Sequence, residues 1–146
     1  MTISEFLSPD DALVDVRASN KQQLLNDLAQ RAAVRLDGSA QQFLSEIDKR
    51  EELGSTGMGG GVAIPHVRLT SISKPFGIFA RLKQPIEFGA IDGQPVDLVF
   101  LLMLPSTANV HLGALATVAR KLRASADIAK LRNAKTPAEL YQAIIS

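Results

Sequence analysis

Cysteine and tryptophan are absent from this chain of 146 residues, tyrosine occurs once and histidine only twice. Without cysteine there is no disulfide, no thiol nucleophile and no thiolate metal site, and the lack fits a reducing cytoplasm, where the chain is expected to reside. An excess of one charge is missing as well. Sixteen Lys and Arg stand against 15 Asp and Glu, and a net charge of +1 gives no general basis for nucleic-acid binding or for attachment to a membrane surface. The start MTISEFLSPDDALV has no basic segment leading into an apolar one, so it is unlike a secretory signal. The longest apolar run, Leu98 to Leu104, is far too short to insert into a bilayer as a helix and reads as a buried strand.

What is present is an aliphatic core. With 46% hydrophobic and 21% charged residues, the composition is that of an ordinary globular protein, and residues 1–146 suit a single domain. Ser19-Asn20-Lys21-Gln22 has the form of a capping box, and Leu24, Leu25, Leu28, Ala29 and Ala32 follow on one helical face, so a helix is expected over about 20–35, ended by the turn at Asp37-Gly38. Ser39 opens a second helix, stopped near Gly54, which carries Arg50 in its last turn. Val62 to Pro65, Phe76 to Leu82 and Val96 to Leu104 read as strands, with Pro85 and Pro95 bracketing the connection between the last two. Beyond Pro105, Leu112, Leu115, Val118, Ala119 and Leu122 make a helical stripe that starts beside His111, and Thr136-Pro137-Ala138-Glu139 begins a final helix. Helices before and after the strands predict an α/β fold, a mixed β-sheet with helices packed on both faces.

The segment GMGGGVAIPH, residues 57–66, holds four of the ten glycines and one of the two histidines. It is no recognised nucleotide motif. GSTGMGGGVA lacks the lysine of a P-loop, and the order helix, loop, strand is the reverse of a dinucleotide fingerprint. Three readings stay open on the residues alone: a turn that needs positive φ, a metal site, and a phosphoryl site. Zinc would take His66 and His111, with Asp92 or Glu87 as a third ligand, but the spacing matches no short metal signature. A phosphoryl site needs a nucleophile, cations and backbone N–H donors. His66 would supply the first, Arg50 and His111 the second, and Gly59, Gly60 and Gly61 the third, with the hydroxyls of Ser55 and Thr56 close by. If the strands before the two histidines are parallel, both imidazoles reach one rim of the sheet. Pro65 stiffens the chain just before His66, and a carbonyl of the glycine loop is the expected partner for the ring nitrogen that does not react.

The block Arg50-Glu51-Glu52-Leu53-Gly54-Ser55-Thr56-Gly57 through Ala63-Ile64-Pro65-His66, supported by AIDGQPVDLVFLL at 90–102, His111-Leu112 and Glu139-Leu140-Tyr141, resembles enzyme IIA of the bacterial phosphoenolpyruvate-dependent phosphotransferase system. The resemblance covers nearly the whole chain and lies in the fructose/mannitol class, type 2, closest to its nitrogen-related branch. It implies a mixed sheet flanked by helices and a cytoplasmic phosphocarrier. On this basis His66 would accept a phosphoryl group from a small histidine phosphocarrier protein, Arg50 and His111 would steady its charge, and Thr56 would lie nearby. No metal, nucleotide or other cofactor is implied. The phosphorylation state would regulate partner proteins, such as kinases or ion transporters. The alternatives are a sugar-specific carrier that hands phosphate to a transport component, and a binding module that does no chemistry. Arg120, Lys121, Arg123, Lys130 and Arg132 are expected as one basic run on the helix after His111, more simply a solvated face than a docking surface. Neither the self-association state nor the reactive ring nitrogen is legible in the sequence.

Overall fold

A computed structural model describes residues 1–106 and 112–146. After two short 3-10 turns at Ile3–Glu5 and Pro9–Asp11, the chain forms β1 (Ala12–Val16), α1 (Lys21–Leu36) and α2 (Ala40–Glu52). The short strands β2 (Gly57–Gly59), β3 (Val62–Ala63) and β4 (His66–Leu69) come next, followed by the long β5 (Phe76–Ile86) and β6 (Val96–Pro105). Three helices close the chain: α3 (Leu112–Lys121), α4 (Ser125–Asn133) and α5 (Pro137–Ile145). Among the described residues no helix is long and apolar enough to cross a membrane.

The helix ends follow the local chemistry of the sequence. Asn20, not Ser19, caps α1: its side chain accepts from Gln23 N at 2.8 Å, while Gln23 Oε1 accepts from the Ser19 amide, a capping box shifted by one residue. Asp37 takes a left-handed conformation at the end of α1, with φ of 52°. Ser39 caps α2 through Gln42 N, and Thr136 caps α5 through Glu139 N with Pro137 just inside the helix.

The sheet is mixed, in the order β1-β5-β6-β3-β2, with β4 also paired to β6. β6 runs through the middle and separates two apolar layers. Leu98, Phe100, Leu102 and Leu104 face α3, α4 and α5, whereas Val99, Leu101 and Met103 face α1 and α2. Both faces are therefore covered, which is why this segment reads as an unbroken apolar run. On the rim of the second layer the fully buried Asp11 carboxylate accepts from Arg31 Nε at 3.4 Å and Arg35 Nε at 3.1 Å, tying α1 to the entrance of β1.

Three features differ from expectation. β5 continues past Leu82 to Ile86, because a bulge between Arg81 and Ile86 lets Pro85 lie outside the ladder. The strand expected over Val62 to Pro65 is interrupted at Ile64-Pro65, and His66 opens a new strand instead of ending one. The interruption does not break register: Val62 pairs with Leu98, His66 pairs with Leu102, and Pro65 O still accepts from Leu102 N at 2.9 Å. Proline has only removed one donor from the ladder. Finally, the basic run is divided between α3 (Arg120, Lys121), the following turn (Arg123) and α4 (Lys130, Arg132), since the helix ends at Lys121 and a new one begins at Ser125. Lys121 there pairs with Asp127, and Arg132 with Asp97.

Candidate functional site

The β2–β3 hairpin, the start of β4 and the end of α2 meet at one edge of the sheet. His66 is half-buried there and lines two adjoining hollows, of about 380 and 280 Å³, which share Arg50 and Leu115 as walls. The first is completed by Glu46, Lys49, Leu53, Val67, Arg68 and Leu104. The second is bounded by Ser55, Thr56, Gly57 and Met58, with Ile64 and Ala119. Together they form a cleft with an apolar floor and a cationic rim.

The imidazole is fixed by its own chain. Its Nδ1 lies 2.7 Å from the carbonyl oxygen of Ile64. A carbonyl can only accept, so Nδ1 carries the ring proton and Nε2 of the neutral ring keeps its lone pair. Ile64 is itself anchored, its amide donating to Thr56 O at 3.1 Å. The partner of Nδ1 is thus Ile64, the residue before Pro65, and not a carbonyl of the glycine loop. Burial pushes the His66 pKa below its ordinary value of about 6.5. The Ile64 contact and Glu51 oppose that shift, while Arg50 and Arg68 add to it.

The sign of the pH dependence follows. Between its lowered folded pKa and about 6.5 the unfolded chain binds a proton that the folded chain refuses. This contribution to stability is complete above about 6.5, declines as pH falls below that value, and levels off once the folded ring also protonates. An NMR titration of the native protein is expected to place the His66 midpoint below that of a histidine in the urea-unfolded chain. A midpoint equal to or above the unfolded one would contradict this account.

Arg50 is braced at the end of α2, donating from Nη1 to Gly54 O at 2.9 Å. Its remaining donors are not needed for that contact. Next to it lies a buried polar knot. Glu51 accepts from the amide and the hydroxyl of Thr56 and pairs with Lys21 at 2.8 Å, and its side chain is only 7% exposed. Lys21 also donates to Phe88 O and rests over the Phe88 ring.

Residues 5–146 match the family described as phosphoenolpyruvate-dependent sugar phosphotransferase system, EIIA 2. The chain belongs to that family. Over its full length it is 44% identical to a nitrogen regulatory protein of Bradyrhizobium diazoefficiens, covering 95% of that protein. A nitrogen regulatory protein of Pseudomonas aeruginosa is 37% identical over 98% of the chain and 94% of the relative. The crystal structure of nitrogen regulatory protein IIA-Ntr from Neisseria meningitidis superposes with a TM-score of 0.92 at 31% identity, covering 97% of this chain and 98% of that one. The mixed α/β fold and the nitrogen-related branch expected from the sequence both hold.

Within this EIIA 2 chain the expected site residues divide. His66, Arg50, Ser55 and Thr56 line the common cleft. His111 lies outside the described residues, although α3, which begins at the next residue, lends Leu115 and Ala119 to the cleft. Gly59, Gly60 and Gly61 line neither hollow. They make the turn of the β2–β3 hairpin, all at positive φ, where Gly60 N donates to Asp92 Oδ2 and Arg132 Nη2 donates to Gly60 O. A side chain at Gly61 would run into the Arg132 guanidinium and the Asp97 carboxylate. The expected phosphate cradle is therefore a clamped turn.

The loop hydroxyls are committed too. Ser55 Oγ donates to Phe88 O at 3.0 Å and accepts from Gly57 N, and the Thr56 hydroxyl donates to Glu51. The two acids considered as zinc ligands hold backbone instead: Asp92 accepts from the Gly60 and Gln94 amides, which lower its pKa, and Glu87 accepts from Gly89 N. Sequence reasoning assigned no role to Arg68 or Glu51, and placed Arg132 only in the basic run. For Arg68 a signal was available, since residues i and i+2 of a strand share a face.

Proposed function

We propose that this EIIA 2 chain is a phosphohistidine carrier in which Nε2 of His66 accepts a phosphoryl group from a small histidine phosphocarrier protein. The observation that carries the reading is the Nδ1 contact to Ile64 O. It selects the tautomer whose other nitrogen is nucleophilic, and burial keeps that nitrogen unprotonated at neutral pH. Transfer breaks the donor's N–P bond, whose electron pair returns to the donor ring, and forms a bond from Nε2 to phosphorus. Nδ1 keeps its proton on Ile64 O, so no proton has to move. Arg50 at the rim offsets charge on the arriving group.

The loaded ring places roughly two negative charges in a cleft otherwise edged by Lys49, Arg50 and Arg68. A reversal of that size changes which proteins dock there, so one reaction can report donor status to a regulated partner. The names of the full-length relatives support regulation over sugar uptake. The test is to incubate the purified chain with phosphoenolpyruvate, enzyme I and the phosphocarrier and to record intact mass. A gain of one phosphoryl group, lost in acid, is expected. No gain with an active donor pair would leave a binding module and remove the carrier reading.

A further inference from the structure

We propose that Arg68 is a second guanidinium that binds the phosphoryl group on His66, alongside Arg50; the assignment rests on the carrier reading above. β4 carries the argument. Val67 and Leu69 are buried in the layer beneath α1 and α2, so the alternation of the strand sets His66 and Arg68 together on its opposite face. Residues two apart on a strand lie about 7 Å apart along it, a span that an arginine side chain covers. Both side chains line the same hollow, together with Lys49 and Arg50.

The chemistry of the cleft leaves this role open. A phosphoryl group on nitrogen presents three oxygens carrying about two charges, more than one guanidinium can neutralise. Among the described residues, the loop donors that would otherwise share the task are engaged elsewhere. The Ser55 hydroxyl donates to Phe88 O, the Thr56 hydroxyl to Glu51, and the Gly60 amide to Asp92. Glu46, the acid in the same hollow, is paired with Lys49 at 3.3 Å. Among the described residues the Arg68 guanidinium has neither a carboxylate partner nor a hydrogen bond, and the residue is exposed. Its planar fork of donors suits a tetrahedral oxyanion.

A role at the ground state of the loaded ring has a definite consequence. Arg68 does not take part in bond making; it favours the product side, in which the oxygens sit beside it. Removing it lowers the fraction of chain loaded at a given ratio of loaded to unloaded donor. With Arg68 in place a larger share of the chain stays loaded at a given donor ratio, as suits a protein that reports donor status.

The experiment uses the full chain and the variants Arg68→Gln and Arg68→Lys, equilibrated with the phosphocarrier at fixed ratios of loaded to unloaded donor, with loading read from intact mass. Arg68→Gln is expected to lower the transfer equilibrium constant about tenfold, the loss of one charge-assisted contact, and Arg68→Lys to recover part of it. The His66 titration midpoint should rise in Arg68→Gln, because a like charge has been removed, while the amide NMR spectrum away from the cleft stays unchanged. Wild-type loading at the wild-type equilibrium in Arg68→Gln overturns the assignment, even if the titration moves. Failure of the wild type itself to load would overturn the carrier reading and this assignment together, so the two failures are distinguishable.

Discussion

His66→Ala is expected to abolish the acid-labile mass gain, lowering transfer by about three orders of magnitude or more, since among the described residues no other group in the cleft can form the N–P bond. The chain has two histidines, so the experiment has a built-in control. A guanidinium is not a nucleophile, the Ser55 hydroxyl donates to Phe88 O, a carbonyl too weakly basic to activate it, and the Thr56 hydroxyl is held by Glu51, whose carboxylate is already paired with Lys21. His66→Gln is an informative companion. Its amide can still approach Ile64 O, so the cleft keeps its shape, but the side chain has no nucleophilic nitrogen. Because His66 is half-buried and held by a single backbone contact, both variants should fold with a stability change of about 1 kcal/mol or less. The decisive comparison is with His111→Ala, which should still load. A full gain retained in His66→Ala and lost in His111→Ala would move the nucleophile to His111 and sink the assignment.

The largest effect on stability is expected at Glu51. Its nearly buried carboxylate joins three elements: the end of α2, the Thr56 segment that leads into β2, and Lys21 in the first turn of α1. Glu51→Ala orphans the Thr56 amide and hydroxyl and leaves Lys21, itself 27% exposed, without its counter-ion. Unmet buried donors cost about 1–3 kcal/mol each, and breaking a buried pair from one side costs about 3–5 kcal/mol. These costs overlap, and Lys21 keeps water as well as Phe88 O and the Phe88 ring, so the net loss is about 3 kcal/mol. For a chain of this size that lowers Tm by roughly 10 °C. Glu51→Gln keeps an oxygen for Thr56 but loses the charge facing Lys21, and about half the effect is expected. Calorimetric melts of the three proteins decide it; a Tm within about 2 °C of wild type for Glu51→Ala would mean that the knot is not a structural joint. Loss of Glu51 should also lower the His66 pKa further, because its negative charge raises it.

Much of this site could be read along the chain because its determinants are local. Ser39 and Thr136 act on amides three residues away, a distance at which helix capping operates. The apolar run of β6 signalled a strand buried on both faces, and the glycines near residue 60 signalled a turn of positive φ. Other features needed partners far away in sequence. The glycine turn is held from both sides, the Gly60 amide donating to Asp92 and the Gly60 carbonyl accepting from Arg132. Nothing local distinguishes that arrangement from a phosphate cradle. The end of α4 likewise depends on a distant residue, Arg81 of β5, which donates to the carbonyls of Leu131, Arg132 and Ala134. β1 is short and needs the parallel partner β5, paired as Ala12 with Phe79, before its alternation becomes a strand.

Taken by itself, the sequence determined the class of fold, the ends of most helices and the identity of His66 as the candidate nucleophile, since periodicity, capping and residue chemistry act within a few positions. Tertiary structure decided which groups are free to act. It committed the loop hydroxyls and the Gly60 amide to other partners, fixed the His66 tautomer through Ile64 and brought Arg68 into the same hollow as Arg50. The physical reason is that a hydrogen-bond donor serves whichever acceptor the fold brings within about 3 Å, and that choice is made between segments whose separation along the chain carries no trace of it.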